Sequence, residues 1–502
     1  MELRDQLKRL SKDTIAFGLG AAVQKFIVFL LFPIYARLLS KDDFGTQDLV
    51  ATVVVMASML LVLGMDSGAL LHYYESPEDE QAKIRSTFLW SQVLLSVPVC
   101  ALLIVFASPI CGLLFDRPRM APYLQLGVAV IPFTQVVRAL SLILRLKFRT
   151  RTFVVLTTAG VLFQVLAAVV LVVVLRWGVT GVFVAILIAG ILQALLGLAL
   201  VRGAFRPGFS ATWFASMLKV GLPLVPAALS VWVLNYANRY VLARYATLAD
   251  IGVLSVALRI SSILLFAISA FETAWGPFAY SVAKNQDAAR QTYAKVLIYF
   301  LALVMPATAA LSIFAREITS VLATPAYASG AALVPLYCFS SVFWVLLYIV
   351  GMGAGMAKKT YHNTIATVLA ACVNMALNLA LIPSHGIVGA ALATVAANFV
   401  ALVYMYFAGQ HYFRVPYHAG KVFALVGLAV VAIVPAVVAD QMVVPWRPAV
   451  LWVKSGLVLV PLLGLFVFKV IAPADVASAV RALRARVAPG RSASRRHPAQ
   501  EL

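Results

Sequence analysis

The stretch YARLLSKDDFG, residues 35–45, has a second copy, LARYATLADIG, at residues 242–252. Both copies contain Ala-Arg, then a hydroxyl residue, an aspartate (Asp43 or Asp250) and a closing glycine. The offset between matching positions is constant from the first residue to the last (242 − 35 = 252 − 45 = 207). Aspartate and glycine at such a position most simply turn the chain and cap the helix that follows. We expect both copies to lie in loops between membrane spans.

A second pair of short sequences repeats at nearly the same distance. RTF (151–153) is followed by GVTG (178–181), and KTY (359–361) is followed by GIVG (386–389). The spacing from threonine to glycine is the same in both copies, so both positions give one offset (360 − 152 = 386 − 178 = 208). Two separate matches at nearly one offset indicate an internal duplication.

The composition places the duplicated unit in a membrane. The chain has 502 residues, of which 63% are hydrophobic and 12% charged, and its mean hydropathy is +0.96. A soluble domain needs more polar surface, so the chain is predicted to be an all-α polytopic membrane protein. The net charge of +21 then indicates basic cytoplasmic loops that meet anionic lipid, with no nucleic acid partner. Four cysteines lie in apolar runs without metal spacing, and no metal site or cofactor is expected.

Apolar runs separated by short polar loops predict fourteen transmembrane helices. The spans are expected at about 14–36, 47–70, 86–110, 121–144, 153–175, 179–201, 213–238, 251–273, 293–314, 328–352, 361–382, 387–408, 420–439 and 450–471.

Six spans separate the two copies, and because six is even both halves face the same way across the membrane. The sequence therefore predicts two parallel six-helix lobes related by an axis along the membrane normal, followed by two C-terminal helices. The expected division is a cytoplasmic amphipathic N-terminus at 1–13, an N-lobe at 14–205, a C-lobe at 206–410, spans 13 and 14 at 411–472, and a basic cytoplasmic tail at 473–502.

The distribution of basic residues predicts the orientation. Of the 40 lysines and arginines, 27 fall on the side shared with the N-terminus and ten on the opposite side, Arg239 and Lys454 being counted among the ten. The positive-inside rule therefore places both termini in the cytoplasm.

The remaining three basic residues, Lys25, Arg138 and Arg259, lie well inside predicted spans. A charge near the bilayer centre costs about 2.5–3.5 kcal/mol on insertion scales, so it normally faces protein or water and has a function. Each of the three lies on a small or polar helix face, and we expect them to line a central hydrated cavity. The alternative is a buried ion pair with Asp66 or Glu272, and Arg138 could instead extend to the basic cytoplasmic loop.

Two asparagines of span 7, Asn235 and Asn238, are further candidates for the cavity because they adjoin Tyr236 and Arg239. Interhelical hydrogen bonding explains most other polar groups within the spans. The sequence contains no nucleotide-binding or catalytic motif, so an ATP-driven pump or an enzyme is not expected.

Three stretches carry a resemblance to a known family: residues 13–49, which contain the first copy, residues 219–245, and residues 359–394. They resemble the polysaccharide-biosynthesis branch of the MOP superfamily, the Wzx-type flippases for O-antigen or exopolysaccharide repeat units, over essentially residues 10–470. The fold implied is MOP/MATE-like. The function implied is movement of an undecaprenyl-diphosphate-linked glycan from the cytoplasmic to the periplasmic leaflet by alternating access, beside a polymerase and other polysaccharide-assembly proteins.

Three other functions stay open. A MurJ-type flippase for the peptidoglycan precursor lipid II has the same fold and a cationic cavity. A MATE-type multidrug exporter usually has twelve spans and a cavity suited to cations, and Lys25 and Arg259 argue against it. A non-transporting scaffold of an envelope-polysaccharide complex would not need cations inside the membrane.

Overall fold

The computed structural model describes residues 24, 26–202, 208–283, 285–442 and 448–468, and every regular element within these ranges is helical. The predicted N-terminal segment 1–13, the tail 473–502 and Lys25 lie outside the described residues. Twelve helical segments in the described ranges are long and apolar enough to cross a bilayer. The chain is a multi-pass α-helical membrane protein.

The helices of the first part of the chain are α1 (Phe26–Leu38), α2 (Lys41–Val62), α3 (Met65–Glu75), α4 (Glu78–Val105), α5 (Ala107–Phe115), α6 (Ala121–Ala129), α7 (Ile131–Leu146), α8 (Thr150–Ala168) and α9 (Gly178–Leu200). The helices of the second part are α10 (Ala211–Gly221), α11 (Val225–Tyr245), α12 (Leu248–Val282), α13 (Gln286–Ile313), α14 (Ala315–Leu322), α15 (Val334–Val350), α16 (Met352–Met356), α17 (Tyr361–Tyr412), α18 (Ala419–Met442) and α19 (Pro448–Val467).

Helix α17 contains 52 residues, which is far longer than the roughly 20 needed to cross a bilayer. Its backbone breaks at Gly386, where φ is 52° and ψ is −131°. The matching glycine of the other copy, Gly178, has φ 58° and begins α9. Both positions of the second repeat therefore use glycine for a left-handed backbone conformation that other residues rarely adopt. The break coincides with the boundary expected between spans 11 and 12.

The two copies of the first repeat have the same helix cap. The Ser40 hydroxyl accepts a hydrogen bond from the amide of Asp43 at 3.1 Å, and the Asp43 carboxylate accepts one from the amide of Ser40 at 3.1 Å. Thr247 and Asp250 make the same two bonds at 3.1 and 3.0 Å. Such reciprocal caps satisfy backbone donors at the start of α2 and of α12. The predicted role of the two aspartates is confirmed.

The closing glycines have a different role from the one expected. Gly45 and Gly252 lie inside α2 and α12, where the two helices cross. A Cβ atom at Gly45 would overlap the carbonyl oxygen of Leu248, and one at Gly252 would overlap the carbonyl oxygen of Lys41. Because Lys41 and Leu248 are themselves matching positions of the repeat, each copy of the motif packs against the other in the same way. The prediction that these glycines turn the chain is wrong, since they permit close helix packing instead.

The turns that precede α8 and α17 give an alignment of the two copies of the second repeat that differs from the one given by the short sequence motifs. Phe148 and Lys358 both have a left-handed backbone, with φ 51° and 58°. The next amides, of Arg149 and Lys359, donate to the carbonyls of Leu144 and Ala354, at 2.9 Å in both cases. The offset at this turn is therefore two positions larger (358 − 148 = 210) than the offset of the glycines. The offset therefore changes between this turn and Gly178. That segment contains six residues of π-helix, Val169–Val174, directly after α8.

The described residues form two compact units, one within 1–284 and 314–414 and the other within 285–313 and 415–502. In the first unit α2 packs along α12, α11 and α15 pack along α17, and α8 packs along α9. In the second unit α13 packs against α18 and α19. There, Lys454 Nζ lies 2.7 Å from an oxygen of Asp440, and the Lys454 side chain is almost fully buried. Lys454 is therefore a core residue of α19, and its assignment to an outer loop is wrong.

Candidate functional site

A cavity of about 580 Å³ lies in the first unit between α1, α2, α8 and α12. We call it the central cavity. Among the described residues, its polar lining consists of one guanidinium, three amides and two hydroxyls, with phenylalanines making up much of the remainder. These polar residues are Arg259, Gln24, Gln47, Gln164, Tyr35 and Ser262.

Arg259 supplies a cation to the central cavity. Its guanidinium carbon lies 5.0 Å from the ring centroid of Phe44 and 5.7 Å from that of Phe32, so cation–π contacts hold it in place. No ion pair or hydrogen bond joins the guanidinium to a side chain in the part of the chain that the structure describes. Asp48 attracts it electrostatically but forms its own ion pair elsewhere. A partly buried guanidinium with open donors is suited to binding an anion.

A second cavity, of about 350 Å³, is lined by residues of α11, α12, α15 and α17. We call it the polar cavity. Ser262 lines both cavities, so the two adjoin. The lining is rich in amides and hydroxyls, with an indole at one side: Asn235, Asn238, Asn398, Ser340, Ser341, Thr394 and Trp344. Hydroxyls and amides that face an open space can bind the hydroxyl groups of a sugar.

Arg239 is the buried cation of the polar cavity. Its Nε lies 3.0 Å from an oxygen of Asp48, and the Arg239 side chain is only 6% exposed. The same guanidinium donates to the side-chain oxygen of Asn238 at 2.8 Å and to the carbonyl of Asn235. Asp48 therefore neutralises Arg239, and Asn238 serves to hold that guanidinium. Asn235 donates its own side-chain NH₂ to the Val231 carbonyl at 2.7 Å.

The other residues singled out in the sequence lie in different places. Arg138 forms an ion pair with Asp66 at 3.3 Å, with side chains 48% and 34% exposed, and neither residue lines the central or the polar cavity. Glu272 lines the polar cavity. Lys25 lies outside the described residues, so its expected place beside Arg259 stays a prediction.

Sequence reasoning missed the Asp48–Arg239 pair. The assignment of Arg239 to an outer loop is wrong, because the residue lies inside α11 and is buried. Asp48 follows a predicted span boundary by one residue, so its position does not distinguish it from a loop residue. Its neighbours in the sequence give no sign of a partner, because Arg239 is 191 residues away.

Solved structures of several transporters share this fold. The lipid II flippase MurJ in an inward closed conformation aligns over 93% of this chain and 99% of its own, with a TM-score of 0.69 and 15% identity. An inward-facing multidrug resistance MATE family transporter of the MOP superfamily covers 78% of this chain and 97% of its own, at a TM-score of 0.55 and 15% identity. An outward-facing multidrug resistance MATE family transporter covers 80% of this chain and 95% of its own, at a TM-score of 0.56 and 15% identity. The likeness shows a common fold.

Sequence comparison shows the family. The succinoglycan biosynthesis transport protein ExoT of Rhizobium meliloti (strain 1021) is 28% identical over 241 residues, which are 47% of this chain and 46% of that protein. The match thus spans about half the length of each. The profile of the family described as "Polysaccharide biosynthesis protein" matches residues 34–331, more than half of the chain. This confirms the resemblance stated from the sequence: the chain belongs to the polysaccharide biosynthesis protein family, and it shares its fold with the MurJ and MATE structures.

Proposed function

We propose that the protein is a flippase that carries an undecaprenyl-diphosphate-linked oligosaccharide from the cytoplasmic to the periplasmic leaflet of the bacterial inner membrane. The observation that carries the proposal is Arg259, a cation inside a transmembrane helix with no carboxylate partner among the described residues, at the wall of the central cavity. A guanidinium binds a phosphate through two parallel charge-assisted hydrogen bonds. Transport of O-antigen or exopolysaccharide repeat units would use this site for the diphosphate.

The two cavities match the two polar parts of such a substrate. The diphosphate would contact Arg259 and the amides of the central cavity, and Lys25 is expected to add a second cation from span 1. The sugars would occupy the polar cavity, where Asn235 and Ser341 offer hydrogen bonds and Trp344 offers an aromatic face. The lipid tail would stay in the bilayer. Asn238 and Arg239 would shape the wall rather than bind the glycan.

The architecture proposed for this transport has fourteen spans in two parallel six-helix lobes and two further helices. The proposed count starts from the twelve candidate spans. Dividing α17 at Gly386 adds one span, and the predicted first span, which contains α1, adds another, so the total is fourteen (12 + 1 + 1). The reciprocal packing of Gly45 and Gly252 supports an axis that relates the two halves. Alternating access would rock the halves about this axis.

Transport of a labelled substrate tests the proposal. The purified full-length protein is reconstituted into liposomes that contain an undecaprenyl-diphosphate oligosaccharide with a fluorophore on the sugar. A membrane-impermeant reductant then quenches only the label in the outer leaflet. We expect complete quenching with the protein and partial quenching in protein-free liposomes. Partial quenching with correctly folded protein would contradict a flippase and favour the scaffold.

A lipid II flippase is the second candidate, and the match to MurJ across nearly the whole chain favours it. The same assay with labelled lipid II separates the two functions. We expect slower transport of lipid II than of the oligosaccharide substrate, together with failure to restore growth of cells depleted of their lipid II flippase. Restored growth would assign the protein to peptidoglycan synthesis.

A further inference from the structure

A group of basic residues gathers where α3, α4 and α7 meet, away from both cavities. Arg85 lies in the second turn of α4, and its guanidinium carbon lies 5.6 Å from the ring centroid of Tyr73 at the end of α3. Tyr73, Ile84 and Leu146 share one hydrophobic cluster, so the end of α7 packs beside the start of α4. Lys147 and Arg149 follow directly on the turn after α7. Three cations therefore converge at one corner of the helix bundle.

The described part of the chain offers these three charges no acidic partner. Within the described ranges, no ion pair joins Arg85, Lys147 or Arg149 to a carboxylate. Arg85 is 9% exposed, its Nε has no hydrogen-bond partner, and its Nη1 has only the Tyr73 hydroxyl at 3.4 Å. Burial, reinforced by repulsion from Arg85 and Arg149, lowers the pKa of the Lys147 ammonium below its ordinary value. A buried guanidinium beside two like charges is unfavourable unless an anion compensates it.

The turn that carries two of the cations also exposes an aromatic ring. Phe148 has a left-handed backbone (φ 51°), and 58% of the residue is exposed. Basic residues on both sides of an exposed ring are typical of a segment at the boundary between lipid headgroups and acyl chains. The charge distribution of the sequence predicts that this boundary belongs to the cytoplasmic leaflet.

We propose that Arg85, Lys147 and Arg149 form a binding site for the phosphate of an anionic phospholipid, with Phe148 inserted among the acyl chains. The guanidiniums of Arg85 and Arg149 would donate to the phosphate oxygens, and Lys147 would supply the third charge. The ligand is a lipid rather than a soluble phosphate, because the exposed ring needs an apolar partner. The site is separate from the central cavity and does not depend on which glycan is transported.

Lipid retention measured by native mass spectrometry tests the site. The full-length protein in detergent is titrated with phosphatidylglycerol, phosphatidylcholine or inorganic phosphate. We expect saturable retention of phosphatidylglycerol, weak retention of phosphatidylcholine and no competition by millimolar inorganic phosphate. Lys147→Gln with Arg149→Gln should weaken phosphatidylglycerol binding roughly tenfold or more, since the double variant removes two of the three charges of the site.

The matched control is Arg151→Gln, which removes an exposed charge two residues beyond the cluster. It should change the affinity less than twofold. Arg85→Lys tests the buried member while keeping its charge, and it should weaken binding because it removes the paired donors. Equal loss in Arg151→Gln, undiminished binding by the double variant, or displacement of the lipid by inorganic phosphate would overturn the proposal.

Discussion

Arg37 and Arg244, which occupy matching positions of the first repeat, make the same contact with opposite halves of the chain. Arg37 Nη2 donates to the carbonyl of Val321 at 2.7 Å, and Arg244 Nη2 donates to the carbonyl of Leu113 at 3.4 Å. The two acceptors are related by nearly the same offset (321 − 113 = 208) as the two arginines (244 − 37 = 207). Each arginine therefore reaches from its own half to the matching position of the other half.

In a second pair of bonds, the acceptors match although the donors are an arginine and a tyrosine. The Arg117 guanidinium donates to the carbonyl of Ala246 at 3.4 Å, and the Tyr327 hydroxyl donates to the carbonyl of Leu39 at 3.5 Å. The acceptors are again related by the offset of the first repeat (246 − 39 = 207). All four bonds lie near the capped starts of α2 and α12, at the end of the bundle that the charge distribution predicts to be periplasmic. They tie the two halves together at that end.

Removing one arginine of the first pair should loosen the predicted periplasmic end. A side-chain hydrogen bond contributes about 0.5–1.5 kcal/mol net, and a charged donor about 1.5–3 kcal/mol. We expect Arg37→Ala to raise the reactivity of a cysteine placed in the central cavity toward an impermeant periplasmic reagent severalfold. Arg119→Ala, which removes an exposed arginine on the same side, is the control. Equal reactivity in both variants would argue against a role for the bond in closure.

Adding a methyl group at the crossing of α2 and α12 should destabilise the protein. Gly252→Ala places its Cβ against the backbone of Lys41, and overpacking of this kind costs about 1–3 kcal/mol. Gly276→Ala in the same helix has open space and is the matched control. Thermal unfolding in detergent should show a lower melting temperature for Gly252→Ala alone. A melting temperature unchanged in both would mean that the helices are not in close contact.

Breaking the Asp48–Arg239 pair should cost more than breaking a surface pair. Asp48→Asn or Arg239→Gln leaves one partner buried without its counter-charge, which typically costs about 3–5 kcal/mol. The double variant should cost less than the sum of the two single variants. Lys83→Gln, which breaks an exposed pair with Glu80, should change stability by less than about 1 kcal/mol. Additive losses at Asp48 and Arg239 would show that the pair is not energetically coupled.

Reporter fusions test the orientation. Fusions after residues 40, 245 and 445 should report the periplasm, and fusions after 80, 285 and 490 should report the cytoplasm. The expectation follows from the excess of basic residues on the side shared with the N-terminus. A periplasmic report from the fusion after residue 490 would overturn the predicted orientation and the repeat argument together.

Local features of the fold could be predicted from the sequence, whereas contacts between distant segments could not. The caps at Asp43 and Asp250 depend on residues three positions apart, so the motif alone indicates them. The role of Gly45 depends on Leu248 lying against it, which no local pattern encodes. The alignment of the two copies of the second repeat was wrong at the turn before α8 for a similar reason. The first copy has two more residues between Phe148 and Gly178 than the second copy has between Lys358 and Gly386, and the short motifs do not show this difference.

The site was predictable to the same extent. Arg259 stood out because a lone guanidinium in an apolar span is costly, and the structure places it at a cavity wall. Arg138 stood out for the same reason, yet Asp66 neutralises it. The sequence offered an ion pair with Asp66 as an alternative, but it could not assign that pair to Arg138 because Asp66 lies on a different helix. Arg239 appeared to belong to a loop only because its buried partner, Asp48, is remote.

The rate of oligosaccharide transport by Arg259 variants is the decisive measurement. In the liposome assay, Arg259→Ala should lower the rate at least about tenfold, because a charge-assisted hydrogen bond to an anion contributes about 1.5–3 kcal/mol. The rate of Arg259→Lys should lie between those of the wild type and Arg259→Ala, since lysine keeps the charge but not the paired donors. Arg119→Ala should transport at the wild-type rate. Wild-type transport by correctly folded Arg259→Ala would contradict the assignment of the diphosphate to the central cavity.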